Sequence, residues 1–118
     1  MAELKTVGVI GAGQMGNGIA HVAALAGYDV IMTDISDDAL ARGVTTIEGN
    51  MHRQVQRNMI TGEAMKIGLK RIRTSASIKA LEETDLVIEA ATEKREVKEQ
   101  IFRSICEIVP AHTYLATN

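Results

Sequence analysis

The stretch Val7-Gly-Val-Ile-Gly-Ala-Gly-Gln-Met-Gly16 joins an apolar run typical of a strand to three glycines in the spacing G-x-G-x-x-G. Gly11 permits a tight turn out of the strand, Gly13 lets a ligand approach the backbone, and Gly16 lets the following helix pack closely. The N–H groups at the start of that helix attract negative charge. The stretch therefore predicts a strand–turn–helix unit that binds the pyrophosphate of a dinucleotide.

A second strand supports this interpretation. The run from Asp29 to Thr33 is largely apolar and is followed by Asp34, 18 residues after Gly16. In dinucleotide-binding folds an acidic residue at about this distance accepts a hydrogen bond from a ribose 2′-hydroxyl. A 2′-phosphate beside Asp34 would be repelled, and residues 35–40 contain no Arg or Lys. We therefore predict NAD rather than NADP. The alternative is a glycine turn that only closes an ordinary strand–helix unit.

Composition narrows the class of protein. The chain has 118 residues, 46% of them hydrophobic and 24% charged, with a net charge of −2. This balance predicts one globular domain and argues against nucleic-acid binding, which favours a basic surface. No apolar run approaches the length of a membrane span. The single cysteine, Cys106, fits a reducing compartment, so we expect a cytoplasmic protein.

The remaining residues alternate between helical and strand patterns. Predicted helices cover 14–26, 39–59, 63–69, 77–81 and 94–108, and predicted strands cover 72–74, 86–90 and 114–117. On the first helix we expect the apolar residues that recur at helical spacing to face the sheet, namely Met15, Ile19, Val22, Ala23 and Ala26. The order predicts an α/β fold, a doubly wound (Rossmann) parallel sheet with strand order 3-2-1-4-5. A helical excursion separates strands 2 and 3.

The helical excursion is longer than a simple crossover needs. It carries five basic residues, Arg53, Arg57, Lys66, Lys70 and Arg71. One interpretation is a solvated helix face, and the other is a binding site for an anionic part of a substrate.

Acidic residues also lie near the predicted switch point of the sheet. Glu89 falls at the end of the fourth strand, where it is either a hydrogen-bonded structural carboxylate or a functional one. Glu93 falls in the following loop, where we expect a role near the cofactor. We expect His21 to lie on the helix surface or at the edge of its apolar stripe, and Cys106 to behave as a small hydrophobic residue. We predict no metal site.

Several blocks of sequence together suggest a family. They are Val9-Ile-Gly-Ala-Gly-Gln-Met-Gly-Asn-Gly-Ile19, Asp34, Asp85-Leu-Val-Ile-Glu-Ala-Ala-Thr-Glu93, Val97-Lys98 and Leu115-Ala-Thr-Asn118. With these blocks the chain resembles the N-terminal domain of the 3-hydroxyacyl-CoA dehydrogenases, close to the bacterial 3-hydroxybutyryl-CoA dehydrogenases. The resemblance covers all 118 residues. It implies NAD-dependent oxidation of a short-chain (S)-3-hydroxyacyl-CoA in fatty acid β-oxidation.

The resemblance also implies roles for individual residues. The glycine loop, with Gln14 and Met15, carries the NAD pyrophosphate, and Asp34 binds the adenine-side ribose. Further along the chain, residues implied to lie along the cofactor are Ala90, Glu93 and Lys98. The acyl-CoA substrate is implied to contact Asn50 and Arg57, where Arg57 replaces the lysine more usual in the family.

The family's catalytic His–Glu pair and an all-helical dimerisation domain follow the positions that match this chain. None of the three histidines, His21, His52 and His112, stands at the catalytic position. The resemblance therefore implies an incomplete NAD-binding domain at 1–118, with no catalytic residue, taken from a homodimeric enzyme. Two alternatives remain: a non-catalytic NAD-binding protein, or a related hydroxyacid dehydrogenase that does not use CoA.

Overall fold

Five short strands and their connecting helices make up the computed structural model, which describes residues 4–91, 94–110 and 113–117, and only the backbone of residue 117. In chain order the elements are β1 (Thr6–Ile10), α1 (Gln14–Leu25), β2 (Asp29–Thr33), α2 (Asp37–Gln56), α3 (Gly62–Lys70), β3 (Ile72–Ser75), a 3₁₀ helix (Ile78–Glu83), β4 (Leu86–Glu89), α4 (Arg95–Cys106) and β5 (Tyr114–Thr117). The predicted elements are confirmed, with ends displaced by three residues or fewer.

The strands form one parallel sheet in the order β3-β2-β1-β4-β5. The chain first moves outward from β1 to β3 and then returns to place β4 on the other side of β1. This reversal creates a switch point between β1 and β4, where the loops at the carboxyl ends of the strands separate. The predicted fold class and strand order are confirmed.

Successive side chains of the strands point to opposite faces of the sheet, and both faces are covered. Val9 and Met32 lie in a core formed with α1, α2 and α3. Ile10 and Ile31 lie in a second core formed with the 3₁₀ helix and α4. Burial on both faces explains why the strands are nearly continuous apolar runs.

The buried face of α1 differs from the predicted one. Met15 and Val22 are 51% and 68% exposed, so the prediction that they face the sheet is wrong. The buried positions are instead Gly16, Asn17, Ala20 and Ala24. Three of these are small residues spaced four apart, which lets the helix backbone approach the sheet closely. The larger side chains border an apolar groove of about 980 Å³ beside α1.

Side chains cap the N-terminal ends of α2 and α3. The hydroxyl oxygen of Ser36 accepts a hydrogen bond from the N–H of Ala39 at 3.1 Å. The hydroxyl oxygen of Thr61 does the same for Ala64 at 3.0 Å. These bonds satisfy amides that have no acceptor within their own helix.

Cys106 on α4 was expected to behave as a small hydrophobic residue and is exposed. That expectation was wrong because the residue lies beside the apolar stripe of its helix. Met59, the last residue of the predicted helix 39–59, follows the end of α2 and is 66% exposed. Among the described residues, no helix combines the length and the apolar character needed to cross a bilayer.

Candidate functional site

The turn between β1 and α1 is held by backbone contacts on both sides. Gly11 has a φ of +107°, a conformation that L side chains rarely adopt. Its N–H donates a hydrogen bond to the carbonyl of Thr33 at 2.7 Å. A Cβ added to Gly11 would lie 2.8 Å from the Cα of Ala91. Only glycine therefore fits between the end of β2 and the loop after β4.

The beginning of α1 presents an uncapped helix N-terminus. Gly13 is the N-cap, the structure shows no side-chain cap there, and the first turn contains no acidic residue. The first helical hydrogen bond runs from the N–H of Asn17 to the carbonyl of Gly13 at 2.9 Å. The N–H groups of 14–16 therefore have no acceptor within the helix. A Cβ on Gly13 would meet no atom within 4 Å, so the space beside these donors is open.

Asn17 supports the same turn, although the glycine spacing gave no signal for it. Its side-chain N–H donates to the carbonyl of Gly13 at 2.8 Å, and the residue is only 7% exposed. Gln14 and Met15 border the apolar groove on the other side of α1.

Asp34 lies half-buried at the carboxyl end of β2. One carboxylate oxygen accepts the N–H of Ala12 at 3.0 Å, and the other accepts the N–H of Ser36 at 3.0 Å. The residue borders a cavity of about 520 Å³. This cavity is lined by Ile10, Gly11, Thr33, Asp34, Ile35, Ala76, Ile78, Ala91, Val97, Gln100, Ile101 and Ser104. It is mainly apolar, with a carboxylate and the glycine turn at its margin.

Glu89 ends β4 on the other side of β1 and is fully buried. Its carboxylate accepts the N–H of Ala91 at 2.7 Å and pairs with the ammonium of Lys98 at 3.2 Å. The side chain of Lys98 is 17% exposed. Glu89 therefore has the hydrogen bond that its structural interpretation requires. The N–H of the next residue, Ala90, donates to the carbonyl of Ile10 and so joins the loop after β4 to β1. Glu93 lies outside the described residues.

Asn50 and Arg57 lie seven residues apart at the end of α2, which places them on one face about 10 Å apart. The side-chain oxygen of Asn50 accepts a hydrogen bond from Arg53, so this face has a second basic residue. Arg57 is exposed at the C-cap. The structure does not bring this pair to the glycine loop, because α2 contacts the loop at Gly43, 14 residues before Arg57.

The histidines lie away from the cavity or outside the described residues. The Nε2 of His21 is 2.7 Å from the side-chain oxygen of Gln54, which links α1 to α2. His52 is exposed on α2, and His112 is not described. His21 is half-buried, which agrees with the expected edge position, and it makes one bond that the sequence did not predict. In the described ranges, no three His, Cys, Asp or Glu side chains are grouped as metal ligands.

The residues present fit a dinucleotide: open space beside helix N–H donors, and a carboxylate at the edge of an apolar cavity. Sheet and site together define a dinucleotide-binding domain of the doubly wound class. Residues 6–118 match the family model described as the NAD binding domain of 3-hydroxyacyl-CoA dehydrogenase, and the chain belongs to this family. NAD, the cofactor predicted from Asp34, is the one that the family binds.

Named relatives agree with this assignment. The chain is 50% identical over 117 residues to a 3-hydroxybutyryl-CoA dehydrogenase of Bradyrhizobium diazoefficiens, covering 99% of the chain and 40% of the relative. It is 44% identical to a 3-hydroxyadipyl-CoA dehydrogenase of Escherichia coli, covering 100% of the chain and 25% of the relative. A solved (S)-3-hydroxybutyryl-CoA dehydrogenase from Ralstonia eutropha superposes with a TM-score of 0.95 at 41% identity, covering 98% of the chain and 41% of that structure. The chain thus spans between a quarter and about two fifths of these proteins.

Proposed function

We propose that residues 1–118 form the NAD-binding domain of a longer enzyme that oxidises a (S)-3-hydroxyacyl-CoA to the 3-ketoacyl-CoA. The observation that carries the proposal is the open, uncapped N-terminus of α1 beside Asp34. It supports binding of the pyrophosphate at the glycine loop, by Gly11, Gly13, Gln14, Met15 and Gly16. It also supports binding of the adenine-side ribose by Asp34.

Met15 borders the apolar groove and not the cavity near Asp34, whereas Gln14 borders both the groove and a cavity of about 310 Å³ beside Ala12 and Gly13. We therefore assign the part of Met15 in phosphate binding to its backbone N–H group. Apolar walls around the cavity suit an adenine ring, and Val97, 39% exposed, contributes to them.

On the other side of the switch point we propose contacts from Ala90, Glu93 and Lys98 along the cofactor. Ala90 lies where the loop after β4 meets the glycine turn, since its N–H bonds to the last residue of β1. Lys98 projects from α4 toward the end of β4, where it pairs with Glu89. When bound along these residues, NAD would supply the hydride acceptor for C3 of the substrate. We assign no proton transfer to His21 or His52, because neither borders the cavity.

For the substrate we propose that the CoA portion contacts Asn50 and Arg57 on α2. A guanidinium is suited to a phosphate because it donates two parallel hydrogen bonds. The length of the acyl group is not given by these contacts, and relatives are named for both a hydroxybutyryl and a hydroxyadipyl group. We propose a short chain, in accordance with the relative that has the higher identity.

We also propose that the complete enzyme is a cytoplasmic homodimer. The family resemblance supports the dimer, and the presence of one cysteine among these 118 residues fits a reducing compartment. Light scattering on the complete enzyme tests the dimer, because it gives the molar mass in solution.

The cofactor site is tested by calorimetric titration of the 118-residue chain with NAD and NADP. We expect saturable NAD binding and weaker NADP binding. In Gly13→Ala the new methyl group fills space that meets no protein atom, so the fold should persist while NAD affinity falls at least about tenfold. Gly49→Ala is the matched control, because a Cβ there also meets nothing within 4 Å, but on α2. A folded chain that binds neither dinucleotide would contradict the proposal.

A further inference from the structure

Ala12, in the middle of the glycine loop, is held from two sides. Its N–H donates to the Asp34 carboxylate at 3.0 Å. From the other side α2 approaches so closely that a Cβ on Gly43 would lie 2.9 Å from the carbonyl oxygen of Ala12. Ala12 itself is only 3% exposed. Ala12 is therefore clamped between α2 and the residue that follows β2.

Asp34 connects three elements through this clamp. It follows β2, its first carboxylate oxygen holds Ala12, and its second holds the N–H of Ser36, which caps α2. Both oxygens are thus in use before any ligand binds. Each carboxylate oxygen can accept a second hydrogen bond, so a ribose hydroxyl can be bound without breaking either backbone contact.

We propose that Asp34 is a positioning residue for the glycine loop, acting through the N–H of Ala12 with Gly43 as the opposing support, in addition to any contact with the cofactor. The part of this inference that concerns cofactor choice rests on the proposed function. The part that concerns the loop does not, because the contacts exist in the protein alone.

The clamp has a consequence for cofactor preference. Repulsion of a 2′-phosphate by Asp34 is removed by any neutral substitution, which by itself favours NADP. The same substitution releases Ala12 and with it the orientation of the N–H groups at the start of α1. Replacing Asp34 should therefore lower NAD affinity without producing a chain that binds NADP well.

Amide hydrogen exchange of the ligand-free chain, followed by NMR, tests the loop directly. In Asp34→Ala we expect the Ala12 amide to exchange at least about tenfold faster than in the wild type, because its charged acceptor is gone. Asp38→Ala is the matched control, since Asp38 is an exposed carboxylate on the first turn of α2. There we expect unchanged exchange at Ala12. Equal exchange at Ala12 in the two variants would overturn the proposal.

A milder variant covers the case in which Asp34→Ala does not fold. Asp34→Asn keeps one carbonyl oxygen, which can serve Ala12 or Ser36 but not both in the present geometry. We expect faster exchange at one of these two amides, and acceleration at neither overturns the proposal. Titration of the same variants with NAD and NADP reports the cofactor consequence. Failure of wild-type NAD binding would remove the proposed function and leave the exchange result as a separate test of the clamp.

Discussion

Asp34 and Glu89 lie on the two sides of β1, at the carboxyl ends of its neighbours β2 and β4. Glu89 is the last residue of β4 and is level with Thr33, whereas Asp34 is the first residue after β2. Each carboxylate accepts the N–H two residues further on, at 3.0 Å in Ser36 and 2.7 Å in Ala91. The second partners differ. Asp34 binds a backbone N–H of the glycine loop, whereas Glu89 pairs with the ammonium of Lys98.

The two carboxylates also differ in how deeply they are buried. Asp34 is half-buried beside a cavity, and Glu89 has no exposed surface. A carboxylate that holds neutral N–H groups at a cavity edge can also bind a ligand. A buried carboxylate beside a cation is committed to that cation, since separating the pair leaves a charge without compensation. One local turn thus supports a binding group on one side of β1 and an anchor for α4 on the other.

Removing the cation that pairs with Glu89 should have the largest effect on stability. Lys98→Met removes the ammonium that pairs with the buried Glu89 carboxylate, so we expect the free energy of unfolding to fall by about 3 kcal/mol or more. Urea denaturation of the ligand-free chain measures the loss.

Arg95→Met is the control for this variant, because it removes a cation from the same helix. Arg95 pairs with Glu99, but the side chains are 92% and 53% exposed. We expect a change within about 0.5 kcal/mol. Equal losses in the two variants would show that the Glu89 ion pair is no stronger than a surface pair. The double variant Glu89→Gln, Lys98→Met should recover much of the lost stability, since it removes both charges.

A second variant separates the effect of the Asp34 carboxylate from the effect of the neighbouring helix cap at Ser36. Ser36→Ala removes the hydroxyl that caps α2 and should cost about 1 kcal/mol of unfolding free energy. The backbone N–H that Asp34 binds is retained, so NAD affinity should change less than about twofold. Thr61→Ala gives a cap loss of the same kind at α3. A large loss of NAD affinity in Ser36→Ala alone would mean that the cap, rather than the carboxylate, orders the site.

Local patterns predicted the parts of this site that depend on local geometry. The glycine spacing predicted the turn and the helix after it, and the position of Asp34 after an apolar run placed it at the end of β2. The strand order followed because parallel strands joined by right-handed crossovers leave few arrangements. Ser36 was predictable as a cap, because its hydroxyl only has to reach an amide three residues away.

Contacts between elements were harder to predict. Hydrophobic periodicity placed Met15 and Val22 in the core, but the sheet is approached by the small residues of α1. Gly43 lies inside the predicted helix 39–59, and only the structure shows that it allows α2 to approach Ala12. The partner of Glu89 was also missed, because the sequence does not show which of several lysines points back toward β4. Such features depend on how helices dock, and one sequence contains little information about that.

The smallest expected effect lies outside this comparison, on the exposed end of α2. Arg57 makes no contact with either carboxylate site and is exposed, so Arg57→Ala should leave both stability and NAD affinity nearly unchanged. If the CoA portion binds there, losing one charge-assisted phosphate contact should weaken CoA binding by about 1 kcal/mol, or roughly fivefold. Calorimetric titration of the chain with CoA measures this. Arg103→Ala, an exposed arginine on α4, is the matched loss of charge. Equal CoA affinity in the two variants would reject the α2 site and favour a dehydrogenase that does not use CoA.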